Sequence, residues 1–163
     1  MTEREALVAL RDADPTRVAQ AEAALWAMWC HADVPEVDKL FGEGVAAMER
    51  QDLDEAERIF GRITARAPDF AEGWNKRATV RYLRGDYTGA IADCEETLAR
   101  KPHHFGALSG QGLCHIALGQ FHEAAGLFRR TLAVHPQLAA ARQNLSAVLG
   151  EMMKGNGHAA GGR

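Results

Sequence analysis

The residues of this sequence best suited to chemistry are the cysteines and histidines of its second half. Cys114 precedes His115, and a thiol beside an imidazole is the pairing used by thiolate nucleophiles and by zinc sites. The histidines nearest to this pair in the sequence are His103, His104, His122 and His135. Adjacent helical side chains point about 100° apart, and no carboxylate or second thiol recurs at ligand spacing. We therefore expect no catalytic residue, no metal and no cofactor, and we interpret His103 and His104 as residues that orient a loop.

The three cysteines have a pattern that favours packed, reduced thiols. Cys30, Cys94 and Cys114 are odd in number, widely spaced and without a C-x-x-C pair. Because free cysteine is among the most frequently buried residue types, we expect all three to be small core residues. A disulfide framework is not predicted.

Composition limits the classes of partner. The 163 residues are 47% hydrophobic and 25% charged, with a formal net charge of -3, which suits one soluble globular unit without a nucleic-acid-binding surface. Residues 1–5 alternate in charge, unlike a secretion signal, and the apolar run Ala23 to Cys30 is too short to span a bilayer. These features predict a cytoplasmic protein with no direct membrane insertion.

An internal repeat organises the middle of the chain. Pro68, Pro102 and Pro136 are each 34 residues apart. The same step connects four further columns: Ala56, Ala90 and Ala124; Gly44, Ala78 and Gly112; Leu40, Trp74 and Leu108; and Phe60, Cys94 and Phe128. Small residues at fixed positions allow two helices to approach closely, and the bulky columns fill the space between pairs. A 34-residue period of this kind predicts stacked pairs of antiparallel helices.

Turn residues fall between the predicted helices. Gly85-Asp86 and Gly119-Gln120 separate the two helices of a pair, with glycine ending one helix and Asp86 able to cap the next. Gln51-Asp52 takes this place in the first pair. Each proline then ends a second helix. We predict helices at about 36–50, 53–66, 70–84, 87–100, 104–118 and 121–134.

The flanking segments are interpreted from their apolar faces. Residues 1–35 are predicted to form an N-terminal helical cap, in which a helix that starts at Asp14-Pro15 turns an apolar face toward the first repeat. A short helix over residues 3–12 is predicted to cover that helix. Trp29 and Trp74 are expected in the core. Residues 137–154 are predicted as a terminal capping helix, and the glycine-rich tail 155–163 as disordered.

These columns resemble the tetratricopeptide repeat (TPR) family, with an aromatic residue at Tyr87 and Phe121 and a proline closing each repeat. Leu53 and Gln51 are the departures in the first repeat. Segments 71–78 and 102–110 are similar to those of a group of small bacterial TPR proteins. The resemblance implies an all-α, right-handed superhelical solenoid of three repeats, at about 37–70, 71–104 and 105–138, within residues 36–136.

The resemblance also implies a function, because family members bind peptides in a concave groove made by their first helices. By position in the repeat, the groove-facing residues would be Phe41, Val45, Glu72, Asn75, Lys76, Thr79, Leu83, Ser109, Leu113, Gln143 and Asn144. Their amide, hydroxyl, cationic and apolar groups suit a peptide. The Asn75 amide could form hydrogen bonds either with the backbone of a bound peptide or with a neighbouring helix or loop.

One variety of the family holds a C-terminal carboxylate with asparagine, lysine and arginine at set groove positions. Val45, Lys76, Gly106 and Gly110 replace that set here, so the sequence disfavours this carboxylate clamp. We predict a non-catalytic scaffold or adaptor that binds a peptide or protein segment in its groove. The alternative is a homo-oligomeric scaffold that self-associates through the arc around Trp26 or through the capping helix.

Overall fold

The structure, a computed structural model, describes the backbone of residues 1–160 and the side chains of residues 1–155. Within these residues the chain forms helices and no strand. The helices are α1 (Glu3–Ala9), α2 (Pro15–Trp29), α3 (Pro35–Glu49), α4 (Leu53–Arg66), α5 (Ala71–Leu83), α6 (Tyr87–Arg100), α7 (Phe105–Ala117), α8 (Phe121–Val134) and α9 (Ala139–Ala160). The helices α3–α4, α5–α6 and α7–α8 form the three repeats, and the predicted all-α architecture is confirmed.

The turns within the three pairs have the expected chemistry. Gly85 and Gly119 adopt φ angles of 81° and 71°, in the left-handed region that glycine enters without steric cost. Gln51 takes the same conformation, with a φ of 60°, in the first repeat. Asp52 and Asp86 then cap the following helices by accepting backbone N–H bonds at 3.2 and 3.0 Å.

Close packing inside each pair explains the small-residue column. A Cβ atom on Gly44 would lie 2.7 Å from Cζ of Phe60, and one on Gly112 would lie 2.8 Å from Cζ of Phe128. The phenyl rings therefore occupy the space that a larger residue would need. In the second pair the equivalent residues are Ala78 and Cys94. Ala78 is larger than the glycines at this position of the other two pairs, and Cys94 is smaller than the phenylalanines.

The N-terminal hairpin, formed by α1 and α2, packs against the third repeat. Its buried residues share one apolar cluster with α7 and α8: Ala6, Leu10, Val18, Ala21, Leu25 and Trp29 with Phe105, Leu108, Leu127 and Val134. The prediction that the apolar face of α2 turns toward the first repeat is therefore wrong. Cys30 and Ala32, which follow α2, do pack against the first-repeat cluster. The cause is that Phe105, Leu108, Leu127 and Val134 of the third repeat supply the apolar side chains that cover this face of α2.

Polar contacts fix the hairpin at the loops that end α6 and α8. Lys101 Nζ lies 2.7 Å from Glu3 Oε2, and His135 Nε2 lies 3.0 Å from Glu22 Oε2. Lys101 and His135 are equivalent in the repeat, 34 residues apart. A cation or imidazole at the same position of two repeats thus binds one carboxylate from each hairpin helix.

The two tryptophans predicted in the core differ in environment. Trp29 is buried, with 4% of its surface exposed. Trp74 is half-buried instead, and the guanidinium groups of Arg77 and Arg100 lie over its indole, at 5.1 and 5.0 Å from the ring centroid. Its Nε1 donates to the carbonyl of Pro68 at 2.9 Å. Trp74 therefore covers the end of the repeat rather than its centre.

Helix α9 packs on α8, through a cluster that includes Phe128, Ala141 and Val148. It extends to Ala160, past the predicted end at Lys154, so the prediction of a disordered tail is wrong for residues 155–160. Gly155 and Gly157 oppose a helix and Ala159 and Ala160 favour one, so the helix here continues from the preceding turns of α9, with no proline to end it. Residues 161–163 of the predicted tail lie outside the described residues. Among the described helices, none is both long and apolar enough to cross a bilayer.

Candidate functional site

A cavity of about 210 Å³ lies between α5 and α7, the first helices of the second and third repeats. Its walls combine apolar rings and methyl groups with a few polar groups. The lining residues are Trp26, Asn75, Lys76, Ala78, Thr79, Tyr82, Cys94, Gly106, Gly110, Leu113 and Cys114. A concave, mostly apolar site with few polar groups is the usual form of a ligand pocket.

The cavity lies where the second repeat breaks the aromatic column. Cys94 occupies the position that Phe60 and Phe128 take in the other two repeats. Those phenyl rings fill the space beside Gly44 and Gly112, whereas the Cys94 side chain is much shorter and lines the cavity. The short Cys94 side chain therefore leaves space that a phenyl ring would fill, and Gly110 of α7, which lies beside Cys94, adds no side chain there.

Trp26 closes the cavity on the side of the N-terminal hairpin. Its ring would be 2.8 Å from a Cβ atom on Gly106, so the indole lies directly on the backbone of α7. The Lys76 ammonium lies 5.9 Å from the Trp26 ring centroid, within reach of a cation–π interaction. The hairpin thus contributes a wall to a site that the repeats alone would leave open.

Below the cavity lies a buried polar cluster centred on Glu72. Its carboxylate side chain is fully buried and accepts a hydrogen bond from Asn75 Nδ2 at 3.0 Å. Lys76 Nζ lies 3.7 Å from Oε1, and His104 Nε2 lies 2.8 Å from Oε2. A buried carboxylate requires such partners because its desolvation is costly.

The structure brings together four of the predicted groove residues at the cavity: Asn75, Lys76, Thr79 and Leu113. Glu72 is buried beneath them, and the exposed Leu83 lies at the end of α5. Asn75 is 8% exposed, and its Nδ2 donates to Glu72 three residues earlier on the same helix, so this bond is neither of its two predicted roles. One of its two amide hydrogens is thereby engaged within α5.

The remaining predicted groove residues do not line this cavity. Phe41 is buried in the core of the first repeat, with its ring centroid 5.9 Å from that of Phe60, because an aromatic ring packs better inside than on an open wall. Val45 is half-buried against the same cluster. The other three are partly or fully exposed: Ser109 on α7 and Gln143 and Asn144 on α9.

Several residues of the cavity were not in the predicted set. Trp26 and Cys94 are the most important, since one forms a wall and the other creates the space. The break in the aromatic column at Cys94 was visible in the sequence. The position of Trp26 was not, because periodicity shows which face of α2 is apolar but not which repeat it covers.

The thiols at the cavity are unreactive by environment. Burial raises the pKa of Cys94 far above its ordinary value, and the neighbouring Cys114 adds to the shift. Burial also raises the pKa of Cys114, to about 11. A thiol is nucleophilic only as the thiolate, so this pair favours packing over covalent chemistry. Among the described residues, no three His, Cys, Asp or Glu side chains are placed to hold a metal ion.

Comparison with known proteins identifies the repeat. Two models of the tetratricopeptide repeat match the chain, over residues 41–105 and 82–149. A TPR repeat-containing protein of Rhizobium etli is 27% identical over 146 residues, which is 90% of this chain and 71% of that protein. The chain spans only 21% of a second relative, the FK506-binding protein-like protein of Mus musculus, at 35% identity.

Solved structures share the fold. The first TPR domain of Spaghetti (RPAP3), bound to an HSP90 peptide, superposes with a TM-score of 0.72 at 21% identity, covering 76% of this chain and 98% of that one. The Sgt2 TPR domain of Aspergillus fumigatus gives the same TM-score at 23% identity, covering 76% of this chain and 83% of that one. With two overlapping repeat models spanning residues 41–149 and the same stacked helix pairs, the chain belongs to the tetratricopeptide repeat family.

Proposed function

We propose that this protein is a non-catalytic interaction module that binds a segment of another protein at the cavity between α5 and α7. The observation that carries the proposal is the cavity itself, which opens where Cys94 replaces an aromatic residue. A cavity of about 210 Å³ in a small helical protein leaves apolar surface uncovered, and such surface commonly marks a binding site.

The lining determines the kind of segment that fits. Trp26, Tyr82 and Leu113 supply apolar surface, and the exposed Thr79 supplies a hydroxyl beside them. A bulky apolar side chain of the guest would enter the cavity, and the guest backbone would meet Thr79 and Lys76 at its rim. The acidic partner of Lys76 is already present in Glu72, so a guest carboxylate gains less there.

This guest differs from the peptide of the structural neighbour. The Spaghetti domain is described as bound to an HSP90 peptide ending in aspartate. This chain has Val45, Gly106 and Gly110 where the carboxylate-clamp pattern expects polar or cationic side chains. We therefore propose an internal segment with an apolar anchor, and not a C-terminal carboxylate, as the ligand.

A displayed library of random peptides, selected against the full chain, tests the proposal. Affinities of the selected peptides are then compared between the wild type and the double variant Ala78→Gly with Cys94→Phe. This variant recreates the glycine and phenylalanine of the first and third repeats, so we expect it to fold and to fill the cavity. We expect the affinity to fall by about tenfold or more, which is about 1.4 kcal/mol.

A pair of matched surface variants separates blocking from general damage. Thr79→Trp places a large ring at the rim of the cavity, whereas Thr88→Trp places the same ring at an exposed position of α6. Only Thr79→Trp should weaken binding. Selected peptides that bind both tryptophan variants and the filled variant as tightly as the wild type would refute the proposal.

The alternative is a self-associating scaffold, with the arc around Trp26 and the capping helix α9 as its two predicted surfaces. Trp26 is partly buried and contacts Trp29, His104 and Phe105 of its own chain, each at a ring-centroid distance of 5.5 Å. On α9, Met153 is 74% exposed. Sedimentation equilibrium over a wide concentration range distinguishes the two proposals, because a scaffold of this kind requires a dimer or larger species.

A further inference from the structure

A second groove lies away from the cavity between α5 and α7. It is bounded by α1 on one side and by the start of α7 and the end of α8 on the other. It consists of two adjoining depressions of about 550 and 340 Å³. Arg11, His103 and Val134 line both, so the depressions are continuous. The N-terminal hairpin separates this groove from the cavity between α5 and α7.

The floor of the groove is apolar. Leu7 and Val8 come from α1, and Leu108 and Val134 come from the third repeat. Val8 is 67% exposed, although the opposite face of α1 already buries Ala6. Helix α1 therefore exposes apolar surface to solvent in addition to the apolar surface that it buries against the rest of the protein.

The rim is cationic. Among the side chains of residues 1–155, seven arginines take part in no ion pair, and three of them, Arg4, Arg11 and Arg130, lie along this groove. Arg4 and Arg11 line the larger depression, and Arg11 and Arg130 line the smaller one. Their position along one apolar groove, and not the lack of an ion pair alone, makes this rim a candidate surface for carboxylates.

The carboxylates nearby are occupied. Glu3 also lines the larger depression, but its oxygens bind Lys101 Nζ at 2.7 Å and Trp29 Nε1 at 2.9 Å. Although partial burial opposes the shift, these two hydrogen bonds lower the pKa of Glu3. Asp12 pairs with Arg17 at 2.9 Å. The rim arginines are therefore available to carboxylates from another molecule.

We propose that this groove docks a short acidic segment of a protein partner, with an apolar side chain on the floor and carboxylates on the rim arginines. Arg4 lies on α1 and Arg11 lies in the turn that follows it, and both line the same depression, so two carboxylates of one segment can reach both. Guanidinium binds carboxylate through two parallel hydrogen bonds. This surface is independent of the cavity between α5 and α7.

A fluorescein-labelled synthetic peptide, in which leucine and phenylalanine alternate with aspartate and glutamate, tests the proposal by anisotropy titration of the full chain. A twin peptide with lysine and arginine in place of the acids is the control ligand. We expect saturable binding of the acidic peptide alone, with an affinity that falls as salt is raised.

Charge reversal locates the site. The variant Arg4→Glu with Arg11→Glu should lower the affinity for the acidic peptide by about tenfold or more. The matched control Lys39→Glu with Arg62→Glu makes the same change in net charge on exposed residues of α3 and α4, and it should bind like the wild type. The single variant Val8→Asp, at an exposed position, tests the floor and should also weaken binding.

Three results would overturn the proposal. The first is no saturable binding of the acidic peptide. The second is an equal loss in both charge-reversed variants, which would indicate attraction to net charge alone. The third is a wild-type dimer that the Arg4→Glu with Arg11→Glu variant dissociates, which would assign the groove to a second copy of the chain. Loss of binding in the filled variant Ala78→Gly with Cys94→Phe would instead place the peptide in the other cavity and also contradict the proposal.

Discussion

The indole of Trp29 lies flat on the imidazole of His104, with ring centroids 4.2 Å apart and planes inclined by 22°. His104 Nδ1 accepts the backbone N–H of Ala107 at 3.0 Å, so its proton is on Nε2, which donates to Glu72 at 2.8 Å. One buried side chain thus joins α2, α5 and α7. The stack is the point at which the hairpin, the polar cluster and the cavity wall meet.

Replacing His104 by alanine should be strongly destabilising for two reasons. It removes the cap of α7 and the ring stacked on Trp29, and it leaves the buried Glu72 carboxylate without the hydrogen bond that His104 donates. We expect a loss of about 3 kcal/mol or more in the free energy of unfolding, measured by urea denaturation. The adjacent His103 is exposed, and His103→Ala should change stability by less than about 0.5 kcal/mol. Equal effects of the two substitutions would contradict the assigned roles.

Two glycines on opposite sides of the third repeat should respond to alanine with opposite signs. Gly112→Ala places a methyl group 2.8 Å from Phe128 Cζ and should cost about 1–3 kcal/mol. Gly126→Ala, on the exposed face of α8, meets nothing within 4 Å and should stabilise the helix by about 0.5–1 kcal/mol. Thermal unfolding of both variants checks the prediction, and a stable Gly112→Ala protein would show that the pair can separate without cost.

The three thiols should differ in their rate of reaction with a disulfide reagent. Cys30 is half-buried, whereas Cys94 and Cys114 are buried. With the pKa of Cys114 at about 11, only about one molecule in a thousand carries its thiolate at about pH 8. We expect Cys30 to react first and the other two only as the protein unfolds. Fast labelling of all three in native buffer would mean that the cavity opens readily.

The buried carboxylate of Asp93 should be essential to the second repeat. It accepts bonds from Arg77 at 2.8 and 2.9 Å and from Arg81 at 3.1 Å, and both guanidinium groups are mostly buried. Asp93→Asn should therefore cost about 3 kcal/mol in unfolding free energy. The exposed Glu95→Gln is the matched control and should be nearly neutral. Comparable midpoints in urea for the two variants would contradict this role.

The repeat region was well specified by the sequence, because each turn and each close contact has its own residue signature. Asp52 and Asp86 mark helix starts, and the predicted helices 53–66, 87–100 and 121–134 have the bounds seen for α4, α6 and α8. Gly44 and Gly112 occupy the same position of their repeats, and each leaves space for a phenylalanine ring that recurs at the same step. Local chemistry of this kind needs no knowledge of distant contacts.

The candidate site was only partly specified, because its features depend on tertiary packing. Trp26 could be identified as apolar, but nothing local shows that it would lie on Gly106. Glu72 and Asn75 have polar side chains, which suggests exposure, yet His104 lies 32 residues away from Glu72 and buries the cluster. Phe41 follows the groove register but gains more by packing against Phe60 and Phe70.

The attachment of α1 and α2 to the third repeat affects the order in which the chain can fold. During synthesis the hairpin emerges before the repeats, yet Leu10, Leu25 and Trp29 are covered by α7 and α8, which are made about a hundred residues later. Until then their apolar surface is without its native cover. Docking of α1 and α2 on α7 and α8, which are distant in sequence, should therefore limit the rate of folding more than formation of the repeats does. The nascent hairpin is the segment most in need of a chaperone.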